Sequence, residues 1–390
     1  MTVPISRADL VSGIDALAAH WQSERGERQQ RRHLERADFD ALADTGYLLA
    51  AVPVDQGGLW ESVEVSTRML CDVLRVLGRA DASVALVAAM HPAVLGYWLA
   101  SPDASQPAWT EQARAAFGTA AAGSQWGTIT SEPGSGGDIM RTRTGAVPDA
   151  PATDGLPGGR YTLTGDKHFG SGFGISDYMF TTALVDGEDE PSAFFMDMRA
   201  ERDGDAGRTT VTAEWDGAGM AATQSHAARL ERMPGTRLAW SGDLAVLTAN
   251  AAPLITSLFT AVVLGVFDAA IEFAREQLGP KREGLRAFEQ VEWSRADLDH
   301  WIAEQAYAGA LRAVEAGDRA VALVAGLRAK TAVAEAAERA LPRITRVIGG
   351  GTFSRRSPLS AWYEDVRALG FLRPPWGLAY DGLYTTSFDR

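Results

Sequence analysis

The order in which helical and β-type patterns follow one another is the feature that most constrains the fold. Residues 1–122 place apolar residues at helical spacing, as in ADFDALADTGYLLAA. Residues 123–240 carry short β-prone runs such as RYTLTGD and SAFFMDM between Gly, Asp and Pro turns, a pattern typical of a small antiparallel barrel or sandwich. Residues 241–390 are helical again, beginning with the apolar LITSLFTAVVLGVFDAAIEFAREQL. We therefore predict an α+β multi-domain protein with these three domains, for which 390 residues suffice.

Charge and composition argue against several classes of protein. The net charge of -13 disfavours a nucleic-acid-binding protein, which needs a basic surface to meet phosphates. A single cysteine, Cys71, excludes an intramolecular disulfide and a cysteine-rich zinc site, and the six histidines form no HxxxH or HxH pair. We find no apolar run that approaches the roughly 20 residues of a membrane span and no signal-peptide pattern. We therefore expect a cytoplasmic protein without membrane insertion.

Two segments of the middle region carry the first functional signals. In TITSEPGSGGD, Thr128–Asp138, a β-type run enters a glycine-rich turn, where a backbone can approach a ligand closely. In YTLTGDKHFGSGFGISDY, Tyr161–Tyr178, Phe169 and Ser171 stand two apart. On a regular strand they would share a face and could offer a stacking surface and a hydrogen bond to one planar ligand. Taken alone, the first segment is better explained as a structural turn and the second as a core Phe beside a turn Ser.

Taken together, the two segments resemble the acyl-CoA dehydrogenase superfamily. Its patterns T-E-P-G-x-G-S-D and N-G-x-K-x-[WF]-I-[TS]-[NG]-G correspond here to S-E-P-G-S-G-G-D and T-G-D-K-H-F-G-S-G. RVIGGGTFSRRSPLSAWYED, Arg346–Asp365, and more weakly GYLLAAVPVDQGG, Gly46–Gly58, match further superfamily patterns in the same order. The resemblance spans nearly the whole chain. It implies a helical domain, an antiparallel β-barrel domain and a four-helix-bundle-like domain, with FAD bound between the subunits of a homo-oligomer, a dimer or tetramer.

The resemblance also implies roles for individual residues. The backbone around Thr130 and the side chain of Ser131 would face the flavin pyrimidine edge, where donors stabilise the charge of a reduced flavin. Phe169 would lie against the isoalloxazine ring, and Ser171 would hydrogen-bond near N5. The glycines Gly349, Gly350 and Gly351 would let the backbone approach the FAD of a neighbouring subunit. The adenosine diphosphate would be held by Lys281, Arg282, Arg286 and Gln290, although their spacing differs from the superfamily pattern by several residues.

The chain departs from the superfamily pattern at the catalytic base. Removing the α-proton of an acyl thioester requires a base within hydrogen-bond reach, which most of the superfamily supplies as a Glu eight residues after its R-D pair. Counting from Asp365 leads to Arg373, and the alternative position on the first long carboxy-terminal helix falls near Ile255. Neither residue is an acid. The nearest candidates by sequence are Asp381, Glu364 and His226, and each is better explained by a structural role.

Three functions remain open after this departure. The favoured prediction is α,β-oxidation of an acyl thioester, with hydride passing to flavin and electrons to an acceptor protein. The alternative is a flavin-dependent monooxygenase on the same fold, which needs no α-proton base and receives reduced flavin from a reductase. The third is a non-catalytic relative that binds flavin or acyl groups.

Overall fold

Helices form both ends of the described chain and strands form its middle. The computed structural model describes residues 5–149, 156–202 and 207–388. The amino-terminal helices are α1 (Arg7–Ser23), α2 (Arg25–Arg28), α3 (Arg36–Asp44), α4 (Val63–Ala80), α5 (Ala82–Leu99) and α6 (Pro107–Ala121). The strands are β1 (Trp126–Thr128), β2 (Gly145–Pro148), β3 (Arg160–Gly170), β4 (Tyr178–Val185), β5 (Pro191–Asp197), β6 (Thr209–Ala213) and β7 (His226–Arg237), with the short α7 (Arg199–Arg202) after β5. The carboxy-terminal helices are α8 (Leu244–Leu278), α9 (Ala287–Glu315), α10 (Arg319–Ile348), α11 (Leu359–Leu369) and α12 (Trp376–Thr386). Short 3₁₀ turns occupy Tyr47–Ala51, Val54–Gln56, Ile139–Arg141, Gly279–Gly284 and Gly350–Phe353.

The helices of both ends share one hydrophobic core. Helix α8 packs against α4 and α5 from the amino-terminal region and against α9, α10 and α11 from its own. Gly78 of α4 faces α8 so closely that a Cβ there would lie 2.7 Å from the carbonyl oxygen of Val262, and Gly265 of α8 meets α4 in the same way. These glycines let the two backbones approach where any side chain would separate them. The predicted boundaries at 122/123 and 240/241 stay predictions, since the helical regions pack as one body.

Among the described residues, two helices are long and apolar enough to cross a membrane. They are α5 and the segment Leu244–Gly284, so the expectation that no apolar run approaches this length is wrong. Their most apolar windows are 100% and 94% buried inside the protein. A helix that is apolar on all sides is typical of the core of a large protein as well as of a membrane span, and here both helices lie in the core. The cytoplasmic location stays a prediction.

The strands of the middle region form a five-stranded closed sheet. Its order is β4-β2-β3-β7-β5 and back to β4, with β1 added beside β4 and β6 beside β7. A second hydrophobic core fills it, including Leu163, Phe194 and Leu230. The prediction of a purely antiparallel barrel is wrong in one respect, because β4 runs parallel to both β1 and β2. Turn signals identify where strands end, but they do not encode on which side a returning strand joins the sheet.

A buried ion pair fastens the barrel to the loop that follows β1. Lys167 on β3 is fully buried, and its Nζ lies 2.6 Å from Glu132 Oε1 and 2.7 Å from the carbonyl oxygen of Thr182. Glu132 also accepts hydrogen bonds from the hydroxyl groups of Thr142 and Thr144. Burial on its own would raise the pKa of Glu132, but Lys167 and the two hydroxyls outweigh it and lower the pKa to about 2. The carboxylate is therefore charged throughout the physiological range.

We expect Lys167→Met to destabilise the protein strongly. The substitution leaves the Glu132 carboxylate buried without its cation, which costs about 3–5 kcal/mol in comparable buried pairs. The free energy of unfolding is measured by urea denaturation followed by circular dichroism. The matched control is Arg229→Met, which removes an exposed pair with Asp166 and should change stability little. Equal losses in the two variants would show that the buried pair has no special role.

Candidate functional site

The glycine-rich loop and the end of β3 lie side by side. The backbone N–H of His168 donates a hydrogen bond of 2.8 Å to the carbonyl oxygen of Ser131, which joins the two segments as an isolated antiparallel bridge. Thr130, directly before the bridge, is buried, and Ser131 is half-buried. The two segments singled out in the sequence thus meet in space, although their contact with a flavin stays a prediction.

Phe169 and Ser171 do not share a regular strand face. The pairing of β3 with β7 is interrupted between Lys167 and Gly170, and Phe169 adopts a left-handed backbone conformation with φ of 55°. Bulky residues are rarely found there, and such strain is often kept at functional sites. The Phe169 ring is 59% exposed, whereas Ser171 is buried and its hydroxyl lies 2.7 Å from that of Ser225. The prediction that Phe169 and Ser171 share a strand face is wrong, because β3 bulges between Lys167 and Gly170.

An aromatic cleft opens beside Phe169. Its volume is about 390 Å³, and it lies between the connection from β6 to β7 and the helices α11 and α12. The rings of Trp215, Phe371 and Trp376 line it. The Trp215 ring stands edge-on to Phe169, with 6.1 Å between the ring centroids. Flat aromatic walls next to an exposed aromatic ring suit a planar conjugated ligand.

None of the three candidate bases takes a clear catalytic position. Glu364 lines the cleft but pairs with Arg367 at 2.8 Å, and Asp381 is exposed on α12. His226 accepts a hydrogen bond of 2.9 Å at Nδ1 from the backbone N–H of Trp215, and burial lowers its pKa. His226 is therefore neutral at physiological pH and positions Trp215.

Asp365, from which the position of the base is counted, directly follows the cleft residue Glu364 and is itself buried. Its carboxylate accepts a hydrogen bond of 2.7 Å from the backbone N–H of Met220. Burial raises the pKa of Asp365 to about 7. The neighbouring Gly219 is pressed against the carbonyl oxygen of Glu364, where no Cβ would fit. Asp365 thus fixes the loop that forms one wall of the cleft.

The residue at the expected position of the base reaches the glycine-rich loop. The guanidinium of Arg373 donates a hydrogen bond to the hydroxyl of Thr130, across 243 residues of sequence. Burial lowers the pKa of Arg373, yet a guanidinium remains protonated at any pH at which proteins fold. A cation thus stands beside Thr130, and it cannot accept a proton. Counting eight residues from Asp365 leads to Arg373 in the sequence, but it does not predict the contact with Thr130.

A buried lysine holds the turn that carries Arg373. Lys330 on α10 donates hydrogen bonds of 2.6 Å and 2.8 Å to the carbonyl oxygens of Gly370 and Pro374. Its Nζ also lies 4.8 Å from the centre of the Trp376 ring, a cation–π contact. On the other side, a Cβ on Gly137 would lie 2.8 Å from Pro375, so the turn packs directly on the glycine-rich loop. Sequence reasoning missed Lys330, which no local motif marks.

The residues predicted to hold the rest of an FAD lie elsewhere on the surface. Lys281, Arg282, Arg286 and Gln290 are exposed around the connection from α8 to α9. Gly349 ends α10 with φ of 99°, and a Cβ on Gly349, Gly350 or Gly351 would meet nothing within 4 Å. The open space leaves room for a ligand or a second subunit, and the predicted roles stay predictions.

Several known proteins are similar to this chain in sequence or in fold, all at low sequence identity. No family model matches the chain. YdbM of Bacillus subtilis (strain 168), whose name assigns it provisionally to the acyl-CoA dehydrogenases, is 24% identical over 386 residues, covering 93% of this chain and 92% of YdbM. FMN-bound TdsC from Paenibacillus sp. A11-2 superposes with a TM-score of 0.79 at 18% identity, covering 97% of both chains. KijD3, in complex with FMN and a dTDP-linked amino sugar, gives a TM-score of 0.81 at 21% identity, covering 99% of this chain and 95% of KijD3. The resemblance to the acyl-CoA dehydrogenase superfamily is thereby confirmed in fold and in overall sequence similarity.

We expect Lys330→Met to loosen the turn around Arg373. Two carbonyl oxygens lose their donor, and an unsatisfied buried acceptor costs about 1–3 kcal/mol. The exposed Phe371 in this turn is a chymotrypsin site, so limited proteolysis followed by mass spectrometry should show faster cleavage there. Lys281→Met, which changes an exposed lysine, is the control. Cleavage at equal rates in both variants would contradict the role given to Lys330.

Proposed function

We propose that the chain is a flavin-dependent monooxygenase that oxidises a small organic substrate. The observation that carries the proposal is the contact of Arg373 with Thr130. It puts a permanent cation where the superfamily pattern would put the carboxylate that removes an α-proton. Oxygenation by reduced flavin and O₂ needs no such base. The fold shared with TdsC, whose structure is also described as that of a dibenzothiophene monooxygenase, supports this choice.

The residues of the cleft fit a flavin ring. Phe169 offers an exposed aromatic face, and Trp215 and Trp376 wall the adjoining space of about 390 Å³. Ser131 would supply a hydroxyl donor at the pyrimidine edge of the ring, and Ser171 would hydrogen-bond near N5 if its hydroxyl turned away from Ser225. When bound and reduced, a flavin supplies the electrons that activate O₂. The residues of this chain would hold the ring, orient the substrate against it and keep bulk water out.

FAD remains the prediction from the sequence, whereas TdsC and KijD3 were crystallised with FMN. The two cofactors share the ring and the ribityl phosphate, so the proposal for the cleft is the same for both. They differ in the adenosine part, which the sequence assigns to Arg282, Arg286 and Gln290. Titrating the protein with FAD and FMN separately identifies the one that binds more tightly.

Dehydrogenation of an acyl thioester is the second candidate. The sequence similarity to YdbM and the S-E-P-G-S-G-G-D loop favour it. It requires a base, and neither Glu364, paired with Arg367, nor the exposed Asp381 is placed to act as one. This candidate also requires an acceptor protein for the electrons, whereas the monooxygenase requires a flavin reductase.

The two reactions give opposite results in one experiment. The flavin-loaded protein is mixed without oxygen with short-, medium- and long-chain acyl-CoAs, and the flavin absorbance is followed. We expect no bleaching, because none of the candidate bases Glu364, Asp381 and His226 is placed to remove the α-proton. We also expect an oxygenated product from a small organic substrate when a reductase and NADH supply reduced flavin, and none when this protein is left out. Bleaching by any acyl-CoA would establish the dehydrogenase reaction instead, and a protein that binds neither FAD nor FMN would refute both.

Phe169→Ala should weaken flavin binding by about two- to tenfold, since it removes one aromatic contact.

We further propose that the protein is a homo-oligomer with α9 in the interface. This helix exposes an apolar stripe at helical spacing, composed of Phe288, Val291, Leu298, Trp301 and Ile302. An exposed apolar stripe of this kind is typical of a contact with another protein. A second copy of the chain is the partner that the resemblance implies.

Light scattering coupled to size-exclusion chromatography tests the interface. We expect the wild-type chain to elute as a dimer or tetramer and Leu298→Asp to shift it towards the monomer, because a charge would be buried against apolar surface. The control is Val147→Asp, which changes an exposed apolar residue of β2. An unchanged mass in Leu298→Asp would exclude this face.

A further inference from the structure

The cation beside Thr130 indicates which class of substrate the site receives. We propose that Arg373, with Thr130 and Tyr97, binds a carboxylate-like oxyanion of the substrate and so selects for acidic molecules. The proposal deepens the proposed function by naming its substrate class, and it rests on that function only for the reaction that follows binding. The binding step itself depends on the residues of this chain.

Unlike Arg28 and Arg75, Arg373 has no carboxylate partner among the described residues. Arg28 pairs with Asp38 at 3.0 Å, and Arg75 pairs with Asp268 at 2.5 Å. Across residues 5–149, 156–202 and 207–388, no carboxylate oxygen lies within 4.0 Å of the Arg373 guanidinium. A guanidinium withdrawn from water gains from a charged acceptor that can take its parallel N–H groups. A bound ligand could therefore supply the charged acceptor for the Arg373 guanidinium.

Asp138, the last residue of the glycine-rich loop, does not fill this role. Asp138 attracts Arg373 only from a longer distance, and its carboxylate accepts a hydrogen bond of 2.9 Å from the backbone N–H of Met140. That bond holds Asp138 at the start of the 3₁₀ turn Ile139–Arg141. Asp138 could pair with Arg373 only if its carboxylate released the backbone N–H of Met140.

The other polar groups near Arg373 can also donate. Thr130 presents a buried hydroxyl, and Tyr97 on α5 presents a phenol whose ring stacks on Phe180 with centroids 4.5 Å apart. Burial raises the pKa of Tyr97, and the charge of Arg373 opposes that rise, so the phenol is protonated and lies within the field of the guanidinium. A guanidinium, a hydroxyl and a phenol together form a donor set suited to an oxyanion.

The position of Arg373 is fixed before any ligand arrives. Lys330 bonds the carbonyl oxygens on both sides of it, at Gly370 and Pro374, and Pro375 packs on Gly137. A group that is already oriented loses little conformational entropy on binding. The turn therefore holds the guanidinium in one position before a ligand binds.

Pairs of an acid and its neutral amide test the proposal directly. Benzoate and benzamide, and butyrate and butyramide, have nearly the same shape and differ in charge. Their dissociation constants are measured by isothermal titration calorimetry at fixed ionic strength, with the protein free of flavin and again loaded with it. We expect the wild type to bind at least one carboxylate about tenfold to a hundredfold more tightly than its amide, as charge-assisted hydrogen bonds do. Arg373→Gln should abolish the preference, and Arg373→Lys should retain part of it, because lysine keeps the charge but not the planar fork.

The control is Arg229→Gln, an exposed arginine on β7 that pairs with Asp166. It should keep the full preference for the carboxylate. Circular dichroism confirms that each variant is folded, and Arg373→Lys carries the test if Arg373→Gln is not. A wild type without preference for either carboxylate, or a preference that survives in Arg373→Gln, overturns the proposal. Flavin titrations of the same samples keep the two proposals separate, because a protein that binds carboxylates but no flavin loses the proposed reaction and keeps the oxyanion site.

Discussion

The buried ion pair between Glu132 and Lys167 is the interaction on which the candidate site depends. Glu132 directly follows Ser131, and Lys167 precedes Phe169 by two residues, so the pair joins the glycine-rich loop to the bulged end of β3. Two buried charges that match each other cannot be separated without leaving one of them uncompensated. The loop and the strand are therefore fixed relative to each other, and the exposed ring of Phe169 is presented in a defined place.

A second buried lysine fixes the opposite wall. Lys330 holds the turn after α11 through two carbonyl oxygens and lies over the Trp376 ring. This turn provides an aromatic side to the cleft and carries Arg373 to Thr130. The same backbone arrangement could present a base if the side chain were a carboxylate. With an arginine there, it presents a permanent cation, and this single side chain changes which reactions the site can support.

Sequence reasoning placed the parts of the site more accurately than their orientations. The loop and β3 were expected to act on one ligand, and the bridge between Ser131 and His168 brings them together. The expected common face of Phe169 and Ser171 fails, because a bulge and a left-handed residue interrupt the strand. The prediction of a purely antiparallel sheet is wrong at β4, which runs parallel to β2. The edge that a returning strand joins depends on the packing of the whole barrel.

The sequence by itself determined the order of helical, β and helical regions, the two motifs and the absence of an acid at the counted position. These are local properties, since periodicity, turn residues and spacing act over a few residues. Only the tertiary structure decided that Arg373 contacts Thr130, that Lys330 holds its turn and that α5 and α8 lie in the core. Such contacts join residues far apart in the chain, as Arg373 and Thr130 are, 243 positions from each other. They follow from how apolar faces pack and how buried charges find partners, which no local pattern specifies.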